Sequence, residues 1–404
     1  MLQQYLEIKE QHPNSILFYR MGDFYEMFFD DAITAAKILG ITLTSRSAKD
    51  EVNKIPMCGV PFHAVTGYLG KMIKAGFRVA ICEQVEDPKE AKGIVKREVV
   101  RVVSPGVTTD DQLLDAKSDC YVCALSINRK SAKELVAGLA VIDISTGRFQ
   151  VSEVAFSLKD PAPLIDEFTR LRPAELLIAQ SEMEEWASLT GLLTSQLGQL
   201  CLTGRPDFHF EARTAQTTLT EHFRTTNLAG FGCETLKTAI NAAGALLLYL
   251  RETQKSDLSH ITRINPLNHS GYLIIDDSSR RNLELTETLI GGQREGSLLS
   301  ILDQTATPMG ARLLRRWLLF PLQDQEQIHS RLDSVQELIS PAETRTGLRT
   351  LLDSVYDLER LCSRLVLGHG NARDMSAIKT SLAQLPALQA MLADRSSSLL
   401  HTMA

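Results

Sequence analysis

Arg20-Met21-Gly22-Asp23-Phe24-Tyr25-Glu26-Met27-Phe28 is the stretch on which the reading of this chain turns. Ahead of it, Ser15 to Met21 is a short apolar run of strand length. Behind it, Phe28, Ala32, Ala35 and Leu39 recur at helical spacing. The sequence therefore predicts a strand to Met21 and an amphipathic helix over Phe24 to Leu39. Asp23 to Glu26 fits D-x-x-E, a capping box in which Asp23 caps the helix and Glu26 reaches back to it. Phe24 is then a core aromatic at a helix start, the usual place for a phenylalanine.

Outward from this stretch, strand and helix signals alternate. Ile41 to Ser45 reads as a β-branched strand, Pro56 to Pro61 as a Pro/Gly loop, and Ala64 to Ala75 as a helix stopped by Gly76. Phe77 to Cys82 and Glu98 to Val103 read as strands, and Ser104-Pro105-Gly106 breaks the pattern. A linker is expected near Thr108 to Ser118. A second block opens with strand-like runs at Cys120 to Ile127, Leu135 to Ile144 and Gly147 to Val154, the last two joined through Ser145-Thr146. Ala162 to Leu171 reads as helix and Glu175 to Ala179 as strand, so the block is an α/β sandwich. From about Phe231 helices dominate: Glu234 to Thr253, Asp277 to Leu289, Ser297 to Asp303, Gly310 to Phe320, Gln325 to Ile339, Thr344 to Leu352, Val355 to Leu367, and Met375 onward. The fold class is α/β plus all-α, with blocks at residues 1–115, 116–254 and 255–404. The last block stops without a clear cap, which suggests a fragment.

Composition limits the function classes. The 404 residues predict two or three domains with ample core. Met1 to Glu10 lacks the pattern of a signal peptide, and the apolar run Ala239 to Leu250 is too short to span a bilayer. No membrane association is expected. Seven cysteines without a framework suggest reduced thiols and a cytoplasmic location. The net charge of −6 does not mark the whole chain as a polyanion binder. Lys89, Lys92, Lys96, Arg97 and Arg101 form a local basic run diluted by Glu90 and Glu98, which on its own reads as a solvated charged face.

Three motifs invite chemical readings and carry little. Gly291 to Ser297, GGQREGS, has glycines five apart but no lysine before Ser297, so it fails as a phosphate loop. Cys120 and Cys123 form a C-x-x-C on a strand, where residues three apart face opposite ways, and read as structural. Asp143 resembles the acidic residue of RNase H-like nucleases, but a two-metal site needs several converging carboxylates, and no second or third is identifiable. No metal ligand set is expected, and His63 lacks a second His or Cys at a suitable spacing.

Seven separate stretches, in order along the chain, resemble the MutS family of mismatch-repair sensors. They are Phe18 to Phe28 (FYRMGDFYEMF), Ile55 to Val65 (IPMCGVPFHAV), Val79 to Asp87 (VAICEQVED), Val100 to Gly106 (VRVVSPG), Ile142 to Phe149 (IDISTGRF), Arg280 to Glu284 (RRNLE) and Thr305 to Pro321 (TATPMGARLLRRWLLFP). The resemblance implies a mismatch-recognition domain, an RNase H-like connector domain and the start of a helical core or lever domain. It implies that Phe24 is a wedge entering the minor groove and that Glu26 hydrogen-bonds a displaced base. Met21, Asp23, Arg46, Pro56, Met57 and His63 are the further residues it turns toward DNA. The implied partners are mismatched double-stranded DNA, MutL through the connector, and a second copy in the full-length form. ATP and Mg2+ belong to a missing ATPase domain, so no cofactor and no enzymatic activity are expected of this piece. Two rivals remain: an RNase H-like nuclease, and a MutL-interaction module that does not read mismatches.

Overall fold

In a computed structural model the structure describes residues 1–45, 54–86, 95–131, 134–198, 200–267 and 271–404. The first sheet is built from β1 (Ile16–Met21), β2 (Phe24–Phe28), β3 (Thr44–Ser45), β4 (Pro56–Pro61), β5 (Val79–Gln84) and β6 (Arg97–Val103), in the spatial order β3-β4-β2-β1-β5-β6. β1 and β5 run parallel; the other neighbours are antiparallel. Helix α1 (Leu2–Gln11) covers part of one face, where Tyr5 packs with Leu17, Tyr19 and Phe28. Helices α2 (Phe29–Leu39) and α3 (Val65–Lys74) cover the other, over Phe18, Tyr25, Met27 and Val60.

This arrangement corrects two expectations. Phe24 to Phe28 is strand, not helix, and α2 starts only at Phe29, whose φ is +54°. Gly22-Asp23 is a two-residue hairpin loop that pairs Met21 with Phe24, and Gly22 supplies the positive φ (+56°) such loops require. Tyr25 and Met27 then point into the core while Phe24 and Glu26 point to the opposite face, a period of two. The capping box therefore does not form, and α2 has no side-chain N-cap. The second correction is Pro56 to Pro61, which is β4 rather than a loop. Its prolines sit at the strand's two ends, where a missing N–H is tolerated, and Cys58 and Val60 between them are buried. The expected strand at Ile41 to Ser45 shrinks to Thr44–Ser45.

The second sheet has the order β11-β10-β7-β8-β9-β12. Strands β7 (Val122–Arg129), β8 (Leu135–Asp143) and β9 (Arg148–Phe156) form an antiparallel meander. β10 (Glu175–Ala179) and β11 (Cys201–Arg205) extend it in parallel on one side and β12 (Ile264–Pro266) on the other. All nine residues of β8 are buried, as a central strand covered on both faces requires. Helices α4 (Ala162–Leu171), α5 (Glu182–Glu185) and α6 (Ala187–Leu197) lie on or beside one face. Helices α7 (Ala212–Phe223) and α8 (Lys237–Gln254) lie on the other. A Cβ at Gly138 of β8 would stand 2.1 Å from the Thr238 carbonyl carbon, so that glycine sets the depth at which α8 seats.

The remainder is helical: α9 (Asp277–Asn282), α10 (Leu298–Leu302), α11 (Pro308–Leu319), α12 (Gln325–Ile339), α13 (Ala342–Leu352), α14 (Leu358–Val366), α15 (Ala372–Leu382), α16 (Leu385–Leu392) and α17 (Ser398–Met403). The helix expected to run from Asp277 to Leu289 ends at Asn282. Glu284 takes a positive φ (+47°), as do Gly291 and Gly292, and the chain between α9 and α10 is irregular. Arginines of this block fasten the segment after β6. Arg312 donates to Asp357, Glu359 and the Ala116 carbonyl, Arg360 to the carbonyls of Asp115 and Ser118, and Arg316 to Asp119.

Candidate nucleic-acid interface

The β1–β2 hairpin turns at Gly22-Asp23 and presents Phe24 directly after that tip. Phe24 keeps 47% of its surface exposed, against a core position for Tyr25 one residue on. Phe24 and Glu26 project from the same face of β2. Across the strand pairs, Phe24 lies between Met21 on β1 and Pro61 on β4, and Glu26 between Tyr19 and Gly59. Neither the buried-ring reading of Phe24 nor the cap reading of Glu26 survives this geometry.

Side chains on both faces hold the hairpin rigid. Arg20 donates from Nε to the Gly22 carbonyl at 2.6 Å and stacks 3.8 Å over the Phe62 ring. Arg97 donates from Nε to the Arg20 carbonyl at 2.7 Å and lies 5.0 Å over the Tyr19 ring. The Tyr19 hydroxyl donates to Gln4 at 2.5 Å. Tyr25 donates to Glu83, and burial together with that carboxylate pushes its hydroxyl up to about 12. The backbone N–H of Phe62 donates to the Asp23 carbonyl at 2.9 Å, tying the end of β4 to the hairpin loop. Cys58 and Cys82 are driven by burial to about 11 and about 12, so these nearby thiols stay protonated and unreactive at neutral pH.

Met21, Asp23, Phe24 and Glu26 are thus brought together at one end of the sheet. Pro56 and Met57 are not among them. Met57 pairs with Phe28, four residues or roughly 13 Å along β2 from Phe24, and packs against the core under α1. His63 is exposed in the single helical turn Phe62–Ala64, its ring edge against Phe62. Arg46, like Lys89 and Lys92 of the basic run, lies outside the described residues. Sequence reasoning missed Pro61 and Gly59 as the cross-strand neighbours of the ring and the carboxylate, and Arg20 and Arg97 as braces of the hairpin. The signal that would have found them is the dipeptide Gly22-Asp23, a hairpin-loop pair flanked by alternating side chains.

The rival sites look different. Asp143 is fully buried and accepts hydrogen bonds from the backbone N–H of Cys120 (3.1 Å), the N–H of Ser145 (2.9 Å) and the Ser145 hydroxyl (2.6 Å). Burial pushes its carboxyl above the usual range. Among the described residues no three His, Cys, Asp or Glu side chains converge as a metal site. Ser297 caps the short α10, and its hydroxyl donates to the Arg294 carbonyl at 2.6 Å, so GGQREGS does not form a phosphate cradle. Cys120 donates to the Pro105 carbonyl and Cys123 is a core residue, consistent with a structural C-x-x-C.

Comparison with known proteins supplies the family. MutS domain I matches residues 1–112, MutS domain II residues 120–262 and MutS domain III residues 278–403. The chain belongs to the MutS family. The DNA mismatch repair protein MutS of Symbiobacterium thermophilum is 45% identical over 397 residues, 98% of this chain and 44% of that protein. The MutS proteins of Desulforapulum autotrophicum and Desulfosudis oleivorans are 46% and 47% identical, over 99% and 96% of this chain and 44% and 43% of theirs. The chain therefore spans less than half the length of these MutS relatives. The irregular stretch between α9 and α10, like the hairpin, falls within the family match or at its edge.

Proposed function

We propose that this chain binds duplex DNA carrying a mispair or an extrahelical base, as the recognition part of a mismatch-repair protein. One observation carries the reading: an exposed ring, Phe24, and a carboxylate, Glu26, project from one face of a braced hairpin in a member of the MutS family. An exposed aromatic at a rigid tip can enter the minor groove and unstack a base step, at a cost of a few kcal/mol. A mispair has already lost part of its pairing and stacking, so deforming it costs less, and the discrimination comes from deformability rather than from sequence. A carboxylate is repelled by the phosphates and is useful only where it accepts a hydrogen bond from a base. Glu26 thus penalises well-paired DNA, in which no base edge is free to compensate.

The blocks 1–115, 116–254 and 255–404 correspond on this reading to mismatch-binding, RNase H-like connector and helical lever domains. In a full-length protein, ATP with Mg2+ acts from a domain outside these residues, a second copy completes the clamp, and the connector contacts MutL in the cytoplasm. This piece does not hydrolyse ATP by itself. The nuclease reading is disfavoured by the enclosed Asp143.

The test compares the affinity of the chain for a duplex with one mispair and for the same duplex fully paired, at one stated salt concentration. Phe24→Ala is expected to lower affinity for the mispaired duplex at least tenfold and to leave the paired one unchanged. Equal binding of both duplexes by the unaltered chain would sink the proposal in favour of an interaction module.

A further inference from the structure

Two Arg-Arg pairs, Arg280-Arg281 and Arg315-Arg316, take no part in the hairpin, and the fold brings them to one place. Arg280 and Arg281 come from α9, Arg315 and Arg316 from α11, and Arg170 and Arg172 from the end of α4 and the residue that follows it. The six guanidiniums wall a cleft of three adjoining cavities, of about 250, 30 and 120 Å³, and Arg172 borders all three. The largest continues past Ser195 and Gln196 of α6. The chain as a whole carries a net charge of −6, so this concentration of positive charge is local. Like charges held together repel unless something of opposite sign meets them.

Four of the six have an internal partner. Arg170 pairs with Glu167, Arg172 with Glu287, Arg280 with Asp277 and the Thr169 carbonyl, and Arg316 with Asp119 at 3.1 Å. Asp166, also close by, accepts from the backbone N–H of Asp277 at 3.0 Å. Two guanidiniums are left over. Arg281 is exposed and stands 3.9 Å from Asp277, a carboxylate that Arg280 already holds. Arg315 is half-buried, and no carboxylate of the described residues lies within ion-pair distance of it. The two acids whose charge acts on it most, Glu287 and Asp119, are held by Arg172 and Arg316. Arg281 and Arg315 both border the narrow middle cavity. Burial lowers the guanidiniums of Arg170, to about 10, and of Arg280 and Arg315, and a neighbouring guanidinium adds to each shift, Arg280 for the first and Arg172 for the other two. These three stay charged at neutral pH. The Nε of Arg316 is buried with no hydrogen-bond acceptor among the described residues.

We propose that this cleft is a binding site for a phosphate group, as inorganic phosphate or pyrophosphate, in which Arg315 and Arg281 grip the anion and Arg172 and Arg280 flank it. A guanidinium presents paired N–H donors that match the oxygens of a phosphate, and such charge-assisted bonds are strong where solvent is partly excluded. The space suits a small anion rather than a drug-sized ligand, whose pockets run from about 300 Å³ upward. An anion held there touches α4, α9 and α11 at once, so it fastens the helices of the second sheet to the helical block. The hairpin of Phe24 is built from other elements, and the site stands whether or not the chain prefers mispaired DNA.

The experiment is calorimetric titration of the 404-residue chain with pyrophosphate and, separately, with phosphate, at an ionic strength held constant with potassium chloride. A single saturable site is expected for each. Arg315→Ala strands no carboxylate, so it keeps its fold and binds about tenfold more weakly or worse. Arg281→Ala, at the exposed rim, loses about threefold. Arg315→Lys keeps the charge without the fork and recovers part of the loss. Arg129→Ala, whose partner Glu185 lies outside the cleft, binds as the unaltered chain does. Amide hydrogen exchange in α9 slows on binding, which locates the anion. No heat beyond the potassium chloride blank, or an affinity unchanged in Arg315→Ala, overturns the proposal. Displacement of pyrophosphate by a fully paired duplex also overturns it, because the cleft would then be a contact for the DNA backbone. If Arg315→Ala does not fold, Arg315→Lys and Arg281→Ala decide.

Discussion

Glu26 and Asp143 are both acidic residues on sheet strands, and each invites a chemical role, but the two sheets treat them oppositely. Asp143 ends β8, a strand buried at every residue, and its oxygens accept from the loops at its own doorstep, Cys120 and Ser145. Glu26 lies half-buried on the face of β2 from which the exposed Phe24 also projects. A carboxylate enclosed by its own backbone donors organises the fold. One that shares a strand face with an exposed ring stands beside whatever that ring meets. The same residue type therefore reads as structural or functional according to the strand's coverage, which is a property of the sheet.

The strongest way to break this contrast is Asp143→Ala. It leaves two backbone N–H groups and a hydroxyl without their acceptor in a sealed site, and such groups cost about 1–3 kcal/mol each when unsatisfied. With partial relaxation, unfolding in urea at neutral pH should show a loss of about 3 kcal/mol, while mismatch preference of the folded fraction stays that of the unaltered chain. A change in DNA preference without a change in stability would reverse the assignment of the two acids.

The contrast was only partly legible in the sequence. Ala162–Leu171, Glu175–Ala179 and Gln325–Ile339 emerge with the boundaries the pattern predicts, because proline, glycine or capping residues bracket a single unambiguous period. The hairpin strand was misread because Phe24 and Phe28, four apart, satisfy a helical period and a strand period alike. What decides between them is burial of Tyr25 and Met27, and burial depends on α2 and α3 packing beneath, which no local window contains. Pro56 to Pro61 failed for a related reason: proline counts against a strand interior, but here both prolines stand at the ends. Phe24 and Glu26 were legible as candidates, whereas Gly59 enters the site only through cross-strand pairing.

A smaller effect is expected at the hairpin loop. Gly22 has φ +56°, and a Cβ there meets nothing within 4 Å, so Gly22→Ala isolates backbone strain from crowding. The left-handed conformation costs a non-glycine residue about 1–2 kcal/mol. Thermal or urea unfolding should show a loss of that order, and the tip should relax enough to lower mismatch preference as well. Lost stability with intact preference would mean that the loop's geometry does not aim Phe24.

Asp143 also predicts a pH signature that Glu26 does not share. Burial raises its folded carboxyl above the ordinary 3.8, against the pull of the Ser145 and Cys120 donors. For an acid raised in the folded state, its contribution to stability is fully present below the ordinary value and is lost as pH rises through the folded one. The stability of the unaltered chain relative to Asp143→Asn should therefore fall from pH 4 upward and then level off. A flat difference would mean that the donors offset burial completely.

The smallest effect belongs to Glu26→Gln, and it is the most discriminating. The substitution keeps the side chain's size and one acceptor oxygen but removes the charge. As the residue is half-buried on a strand and caps no helix, stability should move by no more than about 0.5 kcal/mol. Removing a charge that phosphates repel should tighten binding to fully paired DNA by about 0.5–1 kcal/mol, or two- to fivefold, more at low salt than at high salt. Binding to a mispair should change less, because the lost repulsion is set against a weaker hydrogen bond to the base. The preference therefore narrows from the paired side. If paired-DNA affinity stays put while the mispaired affinity collapses, Glu26 acts only by attraction, and the penalty on correct pairs must come from the ring alone.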